Sequence, residues 1–372
     1  MSFTFPCDAQ QIIRERRSQF VNLGIPVSVL ERVRHRVIDM WRDAPGGWAF
    51  EWSEEAKKAE RSGDDLGASL LYGVARFPCF ANTAHRTAYK HQLGAYLRAM
   101  DNSDEEFFFK RKILTIPYRR TTTPVAVHLL SAGEPSPENP LLLFMGGVDT
   151  WKMDVHHVAL TLSRLVGATV AMIDMPGTGE SQVALASDAD VIVRGVLASL
   201  RTEGQRVGFL AFSYSGLWSA KLALLGAVDA AVAIGAPLDA TFTCRDIRQM
   251  PNGMDGIIGN AMGFAECPSP SELFPLLEPF SLRWQGLLDA WVSDTPLYVL
   301  NGDHDPYVFE NDLTVFDDRP STKVRIVRGA AYCALDQMQG LVLELGLWLR
   351  KNLSDSVRRP PMVVGDYLHV AV

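Results

Sequence analysis

The first 105 residues carry apolar side chains at helical spacing. With arginine and glutamate between them, such side chains recur at Leu30, Val33, Val37, Ile38 and Trp41. The segments 65–77 and 84–99 show the same periodicity, which is typical of amphipathic helices. Strand-like alternation is almost absent here. The sequence therefore predicts a helical domain over residues 1–105, ending in the acidic stretch 101–106.

A different pattern occupies residues 106–372. Residues 109–117 alternate like a half-buried strand, and 124–130 form its expected hairpin partner. Short apolar runs, separated by helical stretches, then follow at 141–145, 168–173, 206–212, 230–234, 296–300 and 324–327. Strands that alternate with helices indicate βαβ units. We therefore predict an α/β fold with a doubly wound, mostly parallel sheet in a second domain.

A serine stands where the strand 206–212 ends. Ser213 has small residues two positions away on either side, Ala211 and Ser215, and a helical stretch follows it. This is the pattern of a nucleophile elbow, in which a tight strand-to-helix turn exposes the serine at a helix N-terminus. Two alternatives stay open at this point: Ser213 as a plain helix N-cap, and Ser215 as the nucleophile.

Two other loops supply expected partners for this serine. Gly146 and Gly147 directly follow the strand 141–145, and glycines there allow a close backbone approach. The amides near Gly147 and Val148, with that of Tyr214, are candidate oxyanion donors, although the glycine pair also fits a plain turn. The loop 174–181 is a weaker signal of the same kind.

The expected acid follows the strand 296–300. Asp305 fits the usual Ser…Asp…His order best, with Asp303 as a substitute. The histidine should come in the loop after the last strand, but Tyr332 stands there, 27 residues after Asp305. The sequence has no histidine between His304 and His369, and a register slip of one residue would put Cys333 in that place.

These residues resemble the α/β-hydrolase superfamily over about 105–352. The helical N-terminus, the elbow and the Gly-Gly-x-Asp-x-x-Lys stretch at 146–152 are similar to the branch that holds 2,6-dihydroxypseudooxynicotine hydrolase, fungal polyketide-shortening hydrolases and FrsA-like proteins. The resemblance implies an N-terminal helical cap over the site and a homodimer. It also implies a small-molecule substrate cleaved at a C–C or ester bond next to a carbonyl, with Asp149 assisting the triad.

The stretch 70–82 also resembles polyketide-cluster members of this branch. Some of those, in spirotetronate pathways, eliminate acetate from an O-acetylated intermediate instead of hydrolysing it. A cap over the site must supply apolar contacts, so Tyr72 and Phe77 are candidates for the substrate wall, with packing inside the cap as the plainer alternative. The charge run 14–17 is expected to be a solvated helix face, and Lys152 a solvated lysine at a helix start unless it serves the site.

The tyrosine changes the expected chemistry. A serine hydroxyl needs a general base, and histidine suits that role because its ordinary pKa is about 6.5, whereas that of tyrosine is about 10. The first hypothesis is therefore a lyase that eliminates a carboxylate such as acetate. Ser213 and the Gly-Gly loop would hold the carbonyl or enolate oxygen, and the candidates for the proton-accepting group are Tyr332, Lys152, His304 and Asp149.

Two further hypotheses remain open. One is a serine hydrolase whose base is displaced to His304, or to His156 or His157. The other is a catalytically silent binding protein that kept the pocket. Cys333 is a further candidate nucleophile, but a packing role fits a cysteine without a partner base better.

Composition and charge limit the partners and the location that we expect for this protein. The net charge of −7 argues against nucleic acid as a partner, because phosphate binding needs a basic face. Five scattered cysteines show neither disulfide nor metal spacing, which favours the cytoplasm. We find no signal peptide, no membrane span and no nucleotide motif, so we expect no cofactor, no metal and no membrane association.

Overall fold

Five helices form the N-terminal region of the computed structural model, which describes residues 2–103, 106–243, 250–289 and 291–354. They are α1 (Ala9–Asn22), α2 (Val27–Arg34), α3 (Trp48–Arg61), α4 (Asp65–Arg76) and α5 (Thr83–Asp101). Side chains of Asp8, Asp64 and Asn82 cap the first turns of α1, α4 and α5 by accepting backbone N–H groups. The helical predictions for 65–77 and 84–99 are thus confirmed.

The pattern from Leu30 to Trp41 does not form one helix. Helix α2 ends at Arg34, and the chain then pairs with the segment before α3: the Ile38 amide donates to the Gly46 carbonyl at 2.8 Å. Ile38 is 72% exposed. The helical spacing is misleading here because the backbone bonds to a neighbouring turn instead of to itself.

The second region is built on one eight-stranded sheet. Its strands are β1 (Phe108–Tyr118), β2 (Thr121–Ser131), β3 (Leu141–Met145), β4 (Thr169–Ile173), β5 (Val207–Phe212), β6 (Ala230–Ile234), β7 (Leu297–Gly302) and β8 (Thr322–Val327). They lie in the order β1-β2-β4-β3-β5-β6-β7-β8. β1 and β2 form an antiparallel hairpin, β2 is antiparallel to β4, and all other pairs are parallel. The predicted α/β-hydrolase sheet is confirmed.

Helices cover both faces of this sheet. α6 (His156–Val166) and α13 (Met338–Ser354) pack on one face, and α7 (Asp190–Leu200) and α8 (Gly216–Leu224) pack on the other. Because both faces are covered, the strands β3 to β7 are buried throughout and read as continuous apolar runs. The short helix α12 (Asn311–Thr314) lies between β7 and β8.

An insertion between β6 and β7 lies over the carboxyl end of the sheet. It contains α9 (Ala240–Thr243), α10 (Met254–Ala261) and α11 (Pro270–Leu277). In the described parts of the chain, no helix has the length and apolar character needed to cross a membrane. The predicted domain boundary at 105 falls at residues 104 and 105, outside the described residues, so the division into 1–105 and 106–372 stays a prediction.

Candidate active site

The elbow has the strained geometry that its sequence predicts. Ser213 follows β5 directly with φ +54°, a left-handed conformation that non-glycine residues rarely adopt, and α8 begins three residues later. A Cβ at Gly147 would lie 2.8 Å from the Ser213 Cβ, so only glycine fits beside the serine. Ser213 lines the pocket described below, whereas Ser215 is fully buried and does not. The geometry therefore favours Ser213 over Ser215.

The loop after β3 lies against this serine. Val148 lines the pocket next to Gly147, as an oxyanion loop requires. Tyr214 also lines it, and its buried ring packs edge-on against Phe242 and Phe280. Burial raises the pKa of Tyr214 well above its ordinary value, so its side chain is a neutral wall and only its amide is a candidate oxyanion donor.

Tyr332 occupies the place expected for histidine. Its hydroxyl donates a hydrogen bond of 2.6 Å to the Ser213 Oγ. The next residues, Cys333 and Ala334, both have φ near +50°, and this tight turn brings the tyrosine to the serine. Cys333 is buried, with its Sγ 3.7 Å from the Ile234 carbonyl oxygen. The alternative in which Cys333 faces the serine is therefore not what the structure shows.

The electrostatics keep this phenol protonated. Burial raises the pKa of Tyr332 well above 10, with Cys333 and Asp149 adding to the rise, and Arg16 and Ser213 offset only part of it. At neutral pH the tyrosine is thus a hydrogen-bond donor. A protonated phenol cannot take the proton of Ser213, so the pair lacks the base of an ordinary serine hydrolase.

Asp305 holds the turn that carries the tyrosine. Its carboxylate accepts the backbone N–H groups of Tyr307 at 2.7 Å, Val308 at 3.2 Å and Cys333 at 3.2 Å. Burial raises the pKa of Asp305, and these hydrogen bonds oppose the rise. Its partners are these backbone groups and the Asn301 side chain, rather than the Tyr332 phenol. Asp303 orders the same region by accepting the Gly329 N–H at 2.7 Å.

Arg16 is the site residue that the sequence does not predict. The run 14–17 is expected to be solvated, but Arg16 is 2% exposed, and its guanidinium pairs with the Asp149 carboxylate at 3.1 Å. The guanidinium carbon also lies 4.3 Å from the centre of the Tyr332 ring. Its position in the helix could have indicated its burial, because Arg16 falls on the buried stripe of α1, four residues from both Ile12 and Phe20.

Lys152 is neither solvated nor at the pocket. Its ammonium is fully buried and pairs with Asp174 and, at 2.8 Å, with Glu180. The structure therefore does not place Lys152 beside Tyr332, and two carboxylates already pair with its ammonium group. The expectation of a solvated helix-start lysine is wrong because the chain after Gly147 turns into the protein instead of starting a surface helix at once.

The histidines considered as displaced bases lie elsewhere. His304 is exposed, and its backbone N–H bonds to the Ala330 carbonyl at 3.0 Å. His156 is buried, with its Nδ1 3.0 Å from the Tyr96 hydroxyl, and burial lowers its pKa to about 4. His157 is exposed on α6. None of these three lines the pocket.

The two aromatic residues expected to form a substrate wall pack inside the cap. Tyr72 is buried, donates to the Glu60 carboxylate at 2.8 Å and stacks on His91. Phe77 packs edge-on against Phe20. Neither lines the pocket, because Tyr72 on α4 and Phe77 directly after it both pack among the cap helices.

The wall comes instead mostly from the insertion between β6 and β7 and from the loop after β7. The pocket occupies about 600 Å³ with its mouth included, and Ser213 and Tyr332 lie on its wall. Its apolar lining includes Phe242, Met250, Met254, Ile258, Leu277 and Val308. Among the described residues that line it, none is charged. Among the described residues, no cluster of His, Cys, Asp or Glu side chains has the form of a metal site.

Comparisons with known proteins agree with this geometry. The FrsA-like esterase family model matches residues 24–328. Esterase FrsA of Yersinia pestis (strain Pestoides F) and that of Yersinia pseudotuberculosis serotype O:1b (strain IP 31758) are each 24% identical over 291 residues, or 70% of this chain. The matched region spans 66% of those relatives, slightly less than two thirds of their length.

Solved structures share the fold as well. AbyA5 superposes with a TM-score of 0.76 at 19% identity, over 92% of this chain and 93% of its own. The 2,6-dihydroxy-pseudo-oxynicotine hydrolase superposes with a TM-score of 0.71 at 19% identity, over 91% and 96%. Both likenesses include the N-terminal helices as well as the sheet. With the family model covering most of the chain, the protein belongs to the FrsA-like esterase family of the α/β-hydrolase superfamily.

Proposed function

We propose that this protein is a non-hydrolytic enzyme, a lyase that eliminates a carboxylate such as acetate from an O-acylated, polyketide-like intermediate. One observation carries the proposal: the Tyr332 hydroxyl donates to Ser213 where a hydrolase has a proton-accepting histidine. Two neutral hydroxyls in series form a proton donor, because the Ser213 hydroxyl is then free to donate to the substrate. Hydrolysis has the opposite need, a base that activates serine or water.

The reaction balances with such a donor. The substrate C–H proton passes to water as the enolate forms. The enolate then forms the C=C bond as the C–O bond to the acyloxy group breaks, and that group leaves as a carboxylate anion. Ser213, backed by Tyr332, donates a hydrogen bond to the departing carboxylate, and both hydroxyls keep their protons. The oxyanion loop at Gly147 and the amide of Tyr214 would hold the enolate oxygen while it is charged.

The C–H group that loses its proton must be acidic in the substrate itself, because the candidate bases of the protein do not serve. Of the candidate bases, Lys152 and His304 do not line the pocket, Tyr332 is protonated, and Asp149 is paired with Arg16. We therefore expect a C–H flanked by two carbonyl groups, whose enolate forms without a strong protein base. The described part of the pocket lining is uncharged, which favours a hydrocarbon chain on the same molecule and disfavours phosphate or carboxylate groups against it.

A serine esterase is the second candidate. It is favoured by the φ of +54° at Ser213, a strain that nucleophile elbows retain, and by membership of an esterase family. It would need a base that reaches Ser213 from outside the described contacts, for example by a movement of the loop that carries His304.

Isotope labelling separates the candidates. We would incubate the protein in ¹⁸O-water with a 2-(acetoxymethyl)-1,3-dicarbonyl compound that bears a long alkyl chain, and analyse the products by mass spectrometry. Alkene with unlabelled acetate supports the lyase, because elimination leaves both acetate oxygens in place. Alcohol with singly labelled acetate supports the esterase. Saturable binding without turnover would instead indicate a silent binding protein.

A further inference from the structure

The charged groups around Tyr332 distinguish this site from one built for histidine. Arg16 reaches it from α1, with its guanidinium 4.3 Å from the centre of the Tyr332 ring and 3.1 Å from the Asp149 carboxylate. Gln19 supports the same cluster, since it accepts from Arg16 at 3.1 Å and donates to Thr150 at 2.6 Å. Although burial disfavours its charge, pairing with Asp149 raises the pKa of Arg16, so the cation is permanent.

A triad histidine must become a cation during the reaction. Its imidazolium is stabilised by a nearby carboxylate and destabilised by a nearby cation, and both effects are strong in a buried site. Here the Asp149 carboxylate is already bound to Arg16, and Arg16 itself covers the ring at position 332. An imidazolium at that position would therefore have lost the help of one nearby anion, Asp149, and gained a like charge beside it, with Asp305 as its remaining carboxylate.

We propose that Arg16 is a positioning residue that adapts this active site to tyrosine, because it neutralises Asp149 and holds a positive charge against the ring at position 332. A neutral hydroxyl suits that environment, and an imidazolium does not. The inference rests on the proposed function in one respect, that Ser213 and Tyr332 are the working pair.

The remaining groups near position 332 do not replace this effect. Tyr307 packs edge-on against Tyr332 with ring centres 5.1 Å apart, and Arg16 also lies 5.1 Å from the Tyr307 ring. Among the described residues, the titratable or charged groups around the position are Arg16, Asp149, Asp305, Tyr307, Cys333 and, through its contact with Tyr307, Glu15. Arg16 is the one cation in this set.

The test restores the histidine and then removes the arginine. Tyr332→His should give only slow labelling of Ser213 by a fluorophosphonate probe. Adding Arg16→Gln should speed labelling at pH 7 at least about tenfold, and raise the midpoint of the pH–rate curve by about one unit or more, because the freed Asp149 stabilises the imidazolium. Arg17→Gln in the same Tyr332→His background is the matched control: Arg17 is the next residue on α1, is exposed, and should change neither quantity.

A second variant covers the case in which loss of Arg16 prevents folding. Asp149→Asn with Tyr332→His leaves the cation uncompensated, so labelling should become slower and the midpoint should move down. Equal rates and midpoints with and without Arg16, or a downward midpoint on its removal, would overturn the inference. The readout needs no natural substrate. Absence of elimination with a clear response to Arg16 would therefore refute the proposed lyase while leaving this inference standing.

Discussion

Two regions of this molecule use buried rings in opposite ways. At the seam between the cap and the sheet, His128 stacks on Tyr96 and His156 bonds to the Tyr96 hydroxyl. At the pocket, where a serine hydrolase needs its histidine, Tyr332 bonds to Ser213 instead. The protein therefore places histidine where no reaction occurs and tyrosine where one is expected.

Burial has the same consequence in both places. It lowers the pKa of His128 well below 6.5 and that of His156 to about 4, and it raises the pKa of Tyr332 well above 10. All three rings are thus neutral near pH 7. The two places differ in which charges lie nearby: Lys152 and Arg111 act on His128, whereas the Arg16–Asp149 pair lies beside the pocket ring. Residue type alone therefore does not identify the base of an active site.

Removing the Tyr332 hydroxyl should have the largest effect on activity. Tyr332→Phe keeps the ring packing but removes the donor to Ser213, so we expect kcat for elimination to fall about 10²- to 10³-fold with little change in melting temperature. Steady-state kinetics on the acetoxymethyl substrate measure this. Tyr72→Phe is the control, because that hydroxyl bonds to Glu60 inside the cap and its loss should leave kcat unchanged.

Acid should weaken the seam through its histidines. The unfolded chain binds a proton at His156 below about pH 6.5, whereas the folded protein does so only near pH 4, so stability is complete above 6.5 and falls as the pH drops toward 4. The loss from this residue alone is about 3 kcal/mol. Urea unfolding at several pH values should show that the unfolding free energy falls less with acid in His156→Gln than in the unsubstituted protein. If the unfolding free energy depended on pH equally in both proteins, folding would not lower the pKa of His156.

Much of this arrangement could be predicted from the sequence. The strand pattern and the elbow at Ser213 follow from short-range periodicity and local sterics, and the spacing from Asp305 placed Tyr332 beside the serine. Arg16 could not be identified in the same way, because its partner Asp149 is 133 residues away and a charge run usually indicates a solvated face. The burial of Lys152 likewise depends on Asp174 and Glu180 across the fold.

The residues that line the pocket could not be predicted from the sequence either. The sequence pointed to Tyr72 and Phe77 of the cap, yet Met254, Ile258 and Leu277 of the insertion line the pocket. All five are apolar or aromatic residues on helices or, for Phe77, directly after one. Periodicity shows that a face is buried without showing what it is buried against. Only the tertiary packing separates the two sets.

Shortening this wall should weaken substrate binding more than chemistry. Met254→Ala removes an apolar contact of about 1 to 2 kcal/mol, so KM for a long-chain substrate should rise roughly five- to thirtyfold with kcat nearly unchanged. The same substitution should have little effect on a short-chain substrate, which does not reach the insertion. A matched loss on both substrates would mean that the insertion supports the catalytic residues instead of binding the chain.

The smallest effect is expected for His304→Ala. This variant tests whether the exposed His304 acts as a base for Ser213. Its side chain is exposed, and its backbone amide bonds to Ala330, which anchors the loop without the imidazole. His304→Ala should therefore change kcat and fluorophosphonate labelling of Ser213 less than twofold between pH 6 and 9. A fall of tenfold or more in labelling would identify His304 as a mobile base. Ser213 would then work as an esterase nucleophile, and a histidine would serve the pocket as well as the seam.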